Sequence, residues 1–158
     1  MIKLISSGLA VFAGVVSLPV GGSHQPTMNA PAADYRQDPR FEALHRFFQK
    51  SDCPAARYAR EFLEAADHYE LDWRLLPSIS YVESTGGKSA RNNNLFGWDS
   101  GRARFPSAAE GIQIVGYRLA HSEIYKDKSL DELLALYNPD EAYGQKIKSV
   151  MRRIAPSQ

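Results

Sequence analysis

A single cysteine, Cys53, is all the thiol the chain carries. That excludes an intrachain disulfide and any zinc site built from cysteines. Charge of one sign is missing too: 19 Lys and Arg stand against 18 Asp and Glu in 158 residues. A net charge of +1 gives no basic surplus to neutralise a phosphate backbone, so nucleic acid is not an expected partner. The four histidines, His24, His45, His68 and His121, show no close ligand spacing, and neither a metal nor a cofactor is expected. Ser80 and Ser84 have no histidine beside them in sequence, which leaves a serine nucleophile without a base. As an ordinarily buried lone thiol, Cys53 needs no reactive role.

What the chain does have begins at its N-terminus. Lys3 precedes an apolar stretch from Leu4 to Val20, broken only by small residues, and Pro19, Gly21 and Gly22 close it. A short basic end, an apolar middle and a helix-breaking close describe a secretory signal peptide over residues 1–22. The run is also just long enough for an uncleaved membrane anchor, and a buried helix is the third reading. The expected location is therefore the periplasm or cell envelope, with membrane contact only if the leader is kept. Loss of Lys3 with the leader leaves 18 basic against 18 acidic side chains, a near-neutral protein. Residues 23–40 carry Pro26, Pro31 and Pro39 among Ala, Asn and Gln without periodicity, which predicts a disordered linker. Residues 41–158 form the folded unit, expected to act as a monomer.

That unit reads as helices. Phe41, Leu44, Phe47 and Phe48 share one side of a short helix ending at Lys50. Pro54 suits the first turn of the next, in which Tyr58, Phe62, Ala65 or Ala66 and Tyr69 recur at helical spacing. A third is expected from Asp72, as its cap, through Leu75, Leu76, Ile79 and Val82 to Ser84. Pro77 should bend its first turns, and Gly86 and Gly87 should stop it. Ser107 with Glu110 and Ser129 with Glu132 both match the capping box. The first opens a helix striped by Ile112, Val115 and Leu119; the second carries Leu130, Leu133, Leu134 and Tyr137 and ends at Pro139. Tyr143, Ile147, Val150, Met151 and Ile154 mark the last. Only 94–105 resists helix, and its Trp98-Asp99-Ser100-Gly101 run predicts a small hairpin tip or a loop. The fold class is mainly α, an orthogonal bundle.

One acid sits on the wrong face for a surface residue. Glu83 follows Ile79 by four and Leu76 by seven, so it shares their apolar side of the third helix. A carboxylate there is costly unless it is paired or protonated. The negative end of the helix dipole pushes its proton affinity in the same direction as burial does. An acid still protonated near neutral pH is what general-acid catalysis needs. The plain alternative is a Glu tied to Arg91 or Arg118 that only steadies the core.

The neighbours of Glu83 bear on that choice. Val82-Glu83-Ser84-Thr85-Gly86-Gly87-Lys88, followed by Asn93-Asn94-Leu95-Phe96-Gly97-Trp98, resembles the active-site signature of the glucosaminidase family of peptidoglycan hydrolases. That family lies in the lysozyme-like superfamily, and the segment is also similar to lytic transglycosylases around the glutamate helix. The resemblance continues over 105–119 and reaches Tyr137-Asn138-Pro139 and Tyr143, covering roughly residues 71–154. It implies a lysozyme-like orthogonal bundle with a very short hairpin or loop lobe, and peptidoglycan glycan strands as the substrate. It further implies Glu83 as the acid protonating the leaving oxygen of a β-1,4 linkage next to N-acetylglucosamine, with Tyr137 as the active-site tyrosine. Tyr137 also fits a core stripe. Asn94 would orient backbone or substrate, Trp98 would face a sugar ring or fill the base of the hairpin, and Tyr81 and Tyr143 would help bind sugar. Asn92 and Asn93 suit turns, and Phe96 suits the core.

Glycoside hydrolysis usually wants a second carboxylate, about 5 Å away for retention and farther for inversion. Asp99 is the only acid in the short segment after Trp98, and it equally suits a turn before Ser100-Gly101. Glu110 is taken up by capping. Without a second acid, the substrate's own 2-acetamido group would supply the nucleophile. A lytic transglycosylase, in which the sugar's 6-hydroxyl attacks internally, needs only one acid as well. A non-catalytic wall-binding module that keeps the fold is the remaining alternative.

Overall fold

The first helix starts where a side chain can take up its free amides. The Asp38 carboxylate accepts from the Arg40 amide at 2.8 Å, and Pro39 follows at the first helical position, where a missing N–H costs nothing. In a computed structural model that describes residues 34–156, this opens α1 (Pro39–Lys50). There follow α2 (Ala59–His68), α3 (Leu75–Ser84), α4 (Ala108–His121), α5 (Leu130–Tyr137) and α6 (Glu141–Ile154). Short 3-10 turns cover Tyr35–Gln37 and Pro54–Tyr58, and the described residues contain no strand. The chain is mainly helical, as the periodicity predicts. The leader expected at 1–22 and the linker up to residue 33 lie outside the described residues.

Packing follows the apolar stripes. α2 lies against α4 and α3 against α6, with α1 touching both α2 and α6 and α5 resting on α6. Leu44, Phe48, Phe62, Leu63, Leu76, Ile79, Ile112, Leu119, Leu134 and Ile147 are fully buried between them. The long connection from α3 to α4 joins this core through Phe96, which is fully buried and meets Phe62 edge-on at 6.5 Å. Phe62 in turn stacks on Phe48 at 5.8 Å. The non-helical lobe is thus fastened into the helical core by an aromatic side chain of its own.

Four local features differ from the sequence expectation. Ordered chain starts before residue 41: Tyr35 donates to Asp67 at 3.0 Å, and Arg40 bridges Asp38 and Asp67 at 2.7 Å each, so 34–40 belongs to the folded unit. α3 begins at Leu75, three residues after Asp72, whose carboxylate instead accepts from the Arg74 amide at 2.9 Å. Pro77 therefore falls in the first turn, where the N–H it lacks would have no helical acceptor, and it breaks nothing. Ser107 accepts from the Glu110 amide at 3.1 Å, but only Ser129 and Glu132 complete the reciprocal capping box. At the Trp98–Gly101 run the loop forms and not the hairpin: among the described residues no strand occurs, and the isolated bridge from Arg91 to Asn94 lies before the run. Asn92, Asn93, Asp99 and Ser100 all hold left-handed backbone, which winds the segment into turns instead.

At the end of α3, Thr85 takes the first left-handed step (φ +54°), followed by Gly86 (φ +58°) and Gly87 (φ +97°). A Cβ on Gly86 would lie 2.8 Å from the Cβ of Cys53, so the close approach as well as the backbone calls for glycine there. Cys53 is buried and unpaired beneath it.

Candidate active site

Glu83 occupies the last turn of α3 and is half-buried. Among the described residues it forms no ion pair. Neither Arg91 nor Arg118 neutralises it, which removes the reading of a core-steadying salt bridge. Burial raises its pKa, and the Tyr143 hydroxyl pulls weakly the other way. That hydroxyl is buried with Glu83 as its hydrogen-bonding neighbour, and donating towards the carboxylate favours the charged form of the acid. A half-dry carboxyl group with no cation beside it favours the protonated form.

The loop after α3 is built around this acid. Ser84, the next residue, places its hydroxyl 2.8 Å from the Leu95 carbonyl and 3.1 Å from the Ser80 carbonyl, sharing its proton between them. The same oxygen accepts from the Gly87 amide at 3.0 Å. Asn94, buried, accepts from the Trp98 amide at 3.0 Å and donates to the Trp98 carbonyl at 2.9 Å. Asn93 donates to the Phe105 carbonyl at 3.0 Å and ties the far end of the loop back. This scaffolding carries Gly97 against Glu83: a Cβ at Gly97 would stand 2.5 Å from Oε2 of the acid. Only a residue without a side chain lets the loop pass so close.

Aromatic rings wall the other side. Tyr137, at the end of α5, donates its hydroxyl to the Phe96 carbonyl at 2.6 Å and stacks on Tyr143 at 5.9 Å with the planes 8° apart. Burial, with the nearby charge of Glu83 as the second cause, pushes the Tyr137 hydroxyl well above the usual phenol range. Trp98 meets Tyr137 edge-on at 5.7 Å and Tyr125 at 6.2 Å, and the Arg118 guanidinium lies 5.5 Å over its ring.

Several sequence expectations change here. Asp99 sits at the exposed loop tip with left-handed backbone and pairs with Arg102 at 2.7 Å. It serves as a turn residue, and it is not among the groups that shift Glu83. Tyr81 is on the wrong side of α3, because residues two apart on a helix point nearly opposite ways. It packs on Phe47 at 5.0 Å and lies under Arg153 at 5.3 Å, away from the rings around Glu83. Of the two roles expected of Asn94, orienting backbone is the one its side-chain amide performs, on Phe96 and Trp98. Tyr143, 3% exposed, is a floor under the acid and has no open face for sugar. Trp98 is half-buried, and Tyr137, near enough for the Glu83 charge to act on its phenol, holds the loop by its hydroxyl. From the sequence Tyr125 has no assigned part, Ser84 figures only as a nucleophile without a base, Arg118 only as a partner for Glu83, and Gly97 only within the motif. Gly97 had a signal, since a glycine after an Asn-rich turn often marks close backbone approach.

Two surface depressions, of about 540 and 410 Å³, lie around Tyr35, Glu64 and Asp67 and around Arg36, Arg57 and Glu61; Glu83 lines neither. No group of metal-ligating side chains occurs among the described residues. None of the described helices is long and apolar enough to cross a membrane. No protein-family model matches the chain, and no curated protein matches it significantly. Chemically, the arrangement presents one half-buried carboxyl group of raised proton affinity beside an aromatic wall, with backbone held tightly against it.

Proposed function

We propose that the chain is an exported enzyme that cuts β-1,4 glycosidic bonds of peptidoglycan next to N-acetylglucosamine, on a lysozyme-like bundle, with Glu83 as the general acid. The observation that carries this reading is the state of Glu83: half-buried, without a counter-ion, and shifted by burial towards the protonated form. In the proposed step the Glu83 proton moves to the glycosidic oxygen as its bond to C1 breaks, leaving Glu83 as the carboxylate. Tyr137 and Gly97 are positioning residues: the first pins the Phe96 carbonyl, and the second lets the loop close on the acid.

The engagement of Asp99 with Arg102 favours routes that need no second protein carboxylate. In the hydrolytic route the 2-acetamido oxygen of the substrate bonds to C1, and water then opens that ring and returns a proton to Glu83. In the second, lytic route the sugar's own 6-hydroxyl bonds to C1 and gives its proton to Glu83, leaving an anhydro sugar. Digestion of purified wall with the wild type and with Glu83→Gln, followed by product mass spectrometry, tests both. The wild type should release muropeptides, and the variant should lose roughly 10²–10⁴-fold in rate. Reducing ends identify hydrolysis and anhydro ends the lytic route. Activity persisting in Glu83→Gln removes the acid role, and a wild type that binds wall without cutting it points to the non-catalytic module.

A further inference from the structure

The long connection between α3 and α4 is charged unevenly. In a chain of net charge +1 it holds Lys88, Arg91, Arg102 and Arg104 against Asp99 alone, and Asp99 is taken by Arg102 at 2.7 Å. Arg118 of α4 lies over Trp98 of this connection and adds a further cation to it. Arg40, Arg46, Arg60 and Arg74 all pair with carboxylates elsewhere in the molecule. Arg91, Arg104 and Arg118 are exposed and form no ion pair among the described residues.

Of these, Arg118 alone has an aromatic ring beneath its guanidinium. The group lies 5.5 Å over Trp98, Trp98 meets Tyr137 at 5.7 Å, and Tyr137 stacks on Tyr143, the tyrosine that acts on Glu83. Arg118 therefore stands at the outer end of the ring series that starts at the acid. Cation–π attraction holds a guanidinium over a ring while leaving the N–H groups at its edge available. A planar fork held in this way suits a carboxylate, which it can grip with two parallel hydrogen bonds.

We propose that Arg118 recognises the carboxylates of peptidoglycan and so selects its strands over neutral chains of N-acetylglucosamine. The inference rests on the reading of Glu83 as a glycan-cleaving acid. Muramyl residues carry a lactyl group on every second sugar, which ends in a free carboxylate when the strand is bare and in a peptide with carboxylates of its own when it is not. Chitin-type chains have neither. Arg118 is thus a specificity residue, and a role limited to covering Trp98 would not discriminate between charged and neutral sugars.

The test is equilibrium binding by calorimetry to the full chain carrying Glu83→Gln, which prevents turnover, with and without Arg118→Met or Arg118→Lys. Three probes are titrated: the N-acetylglucosamine–muramic acid disaccharide with a free lactyl carboxylate, the same disaccharide bearing its peptide, and neutral chitobiose. Before Arg118 is changed, at least one carboxylated probe should bind roughly tenfold or more tightly than chitobiose, as a charge-assisted hydrogen bond predicts. The probe showing the preference identifies the lactyl or the peptide carboxylate as the one held. Arg118→Met should abolish the preference without changing chitobiose affinity, and Arg118→Lys should restore part of it, since a point charge replaces the fork. Equal weakening of all probes by Arg118→Met, or a preference that survives it, overturns the proposal. Binding of chitobiose without any preference for carboxylate overturns it alone, whereas binding of no probe overturns the glycan reading with it.

Discussion

Replacing Gly97 with alanine isolates the contact on which the candidate site is built. The added methyl carbon would stand 2.5 Å from Oε2 of Glu83 and 3.2 Å from its carboxyl carbon. Ordinary contact begins near 3.4 Å, so the acid must move by almost 1 Å or the loop must lift away. A displacement of about 1 Å at a reacting group costs on the order of 10²-fold in rate. The backbone adds its own cost, because alanine at φ +61° loses about 1–2 kcal/mol and several degrees of melting temperature. Gly101→Ala separates the two effects: Gly101 also has positive φ, at +80°, but nothing lies within 4 Å of a Cβ there. Both variants should therefore melt earlier, while only Gly97→Ala should lose wall-cleaving activity by about 10²-fold. Carbon-detected NMR titration of the Glu83 carboxyl provides a readout free of turnover. In Gly97→Ala the pKa should move back towards the ordinary glutamate value as the group is displaced into water, and in Gly101→Ala it should stay raised. A Gly97→Ala protein that matches Gly101→Ala in both rate and titration would refute the reasoning.

Asp99→Asn should leave wall cleavage within about twofold of the wild type, as expected for an exposed ion pair of small energetic weight; a loss of a hundredfold or more would reinstate Asp99 as a second catalytic acid. Glu83→Gln should stabilise the fold at neutral pH, measured by denaturant midpoints across a pH series. Because burial raises the folded-state pKa of Glu83, its protonated form is the one folding favours. The wild type thus keeps full stability below the unfolded value of about 4.3 and loses some as pH rises through the raised one. The advantage of the variant should vanish below about pH 4 and grow towards pH 7; a constant difference would contradict a buried, raised acid.

Helices were legible wherever apolar spacing and a capping side chain agreed, as at Ser129 with Glu132 and along Tyr143 to Ile154. Glu83 was legible for the same reason, since its face is fixed by Leu76 and Ile79. Misplacing the start of α3 came from taking Asp72 as a helix cap, when its carboxylate closes a turn with Arg74 instead. The sequence left a hairpin tip or a loop open at 98–101, and left-handed backbone at Asn92, Asn93, Asp99 and Ser100, residue types that suit turns, makes it a loop. Tyr81 was an avoidable error, as its two-residue offset from Glu83 already puts it on another face. Gly97 against Glu83, Tyr137 on Phe96 and Arg118 over Trp98 are encounters between distant segments, and no local pattern encodes them.

The loop between α3 and α4 is secured at both ends, by Ser84, Asn94 and Tyr137 on its inner part and by Asn92 and Asn93 on Phe105, with an exposed rim between them. Ser84, Asn94 and Tyr137 grip it from Leu95 to Trp98, while Asp99 to Arg102 bond chiefly to one another and to the residues just before them. Insertions or changed residues in that outer rim would leave the acid and its supports untouched. A change of length or charge between Asp99 and Arg102 would thus reshape the exposed edge of the loop at little risk to the framework that carries Gly97 against Glu83.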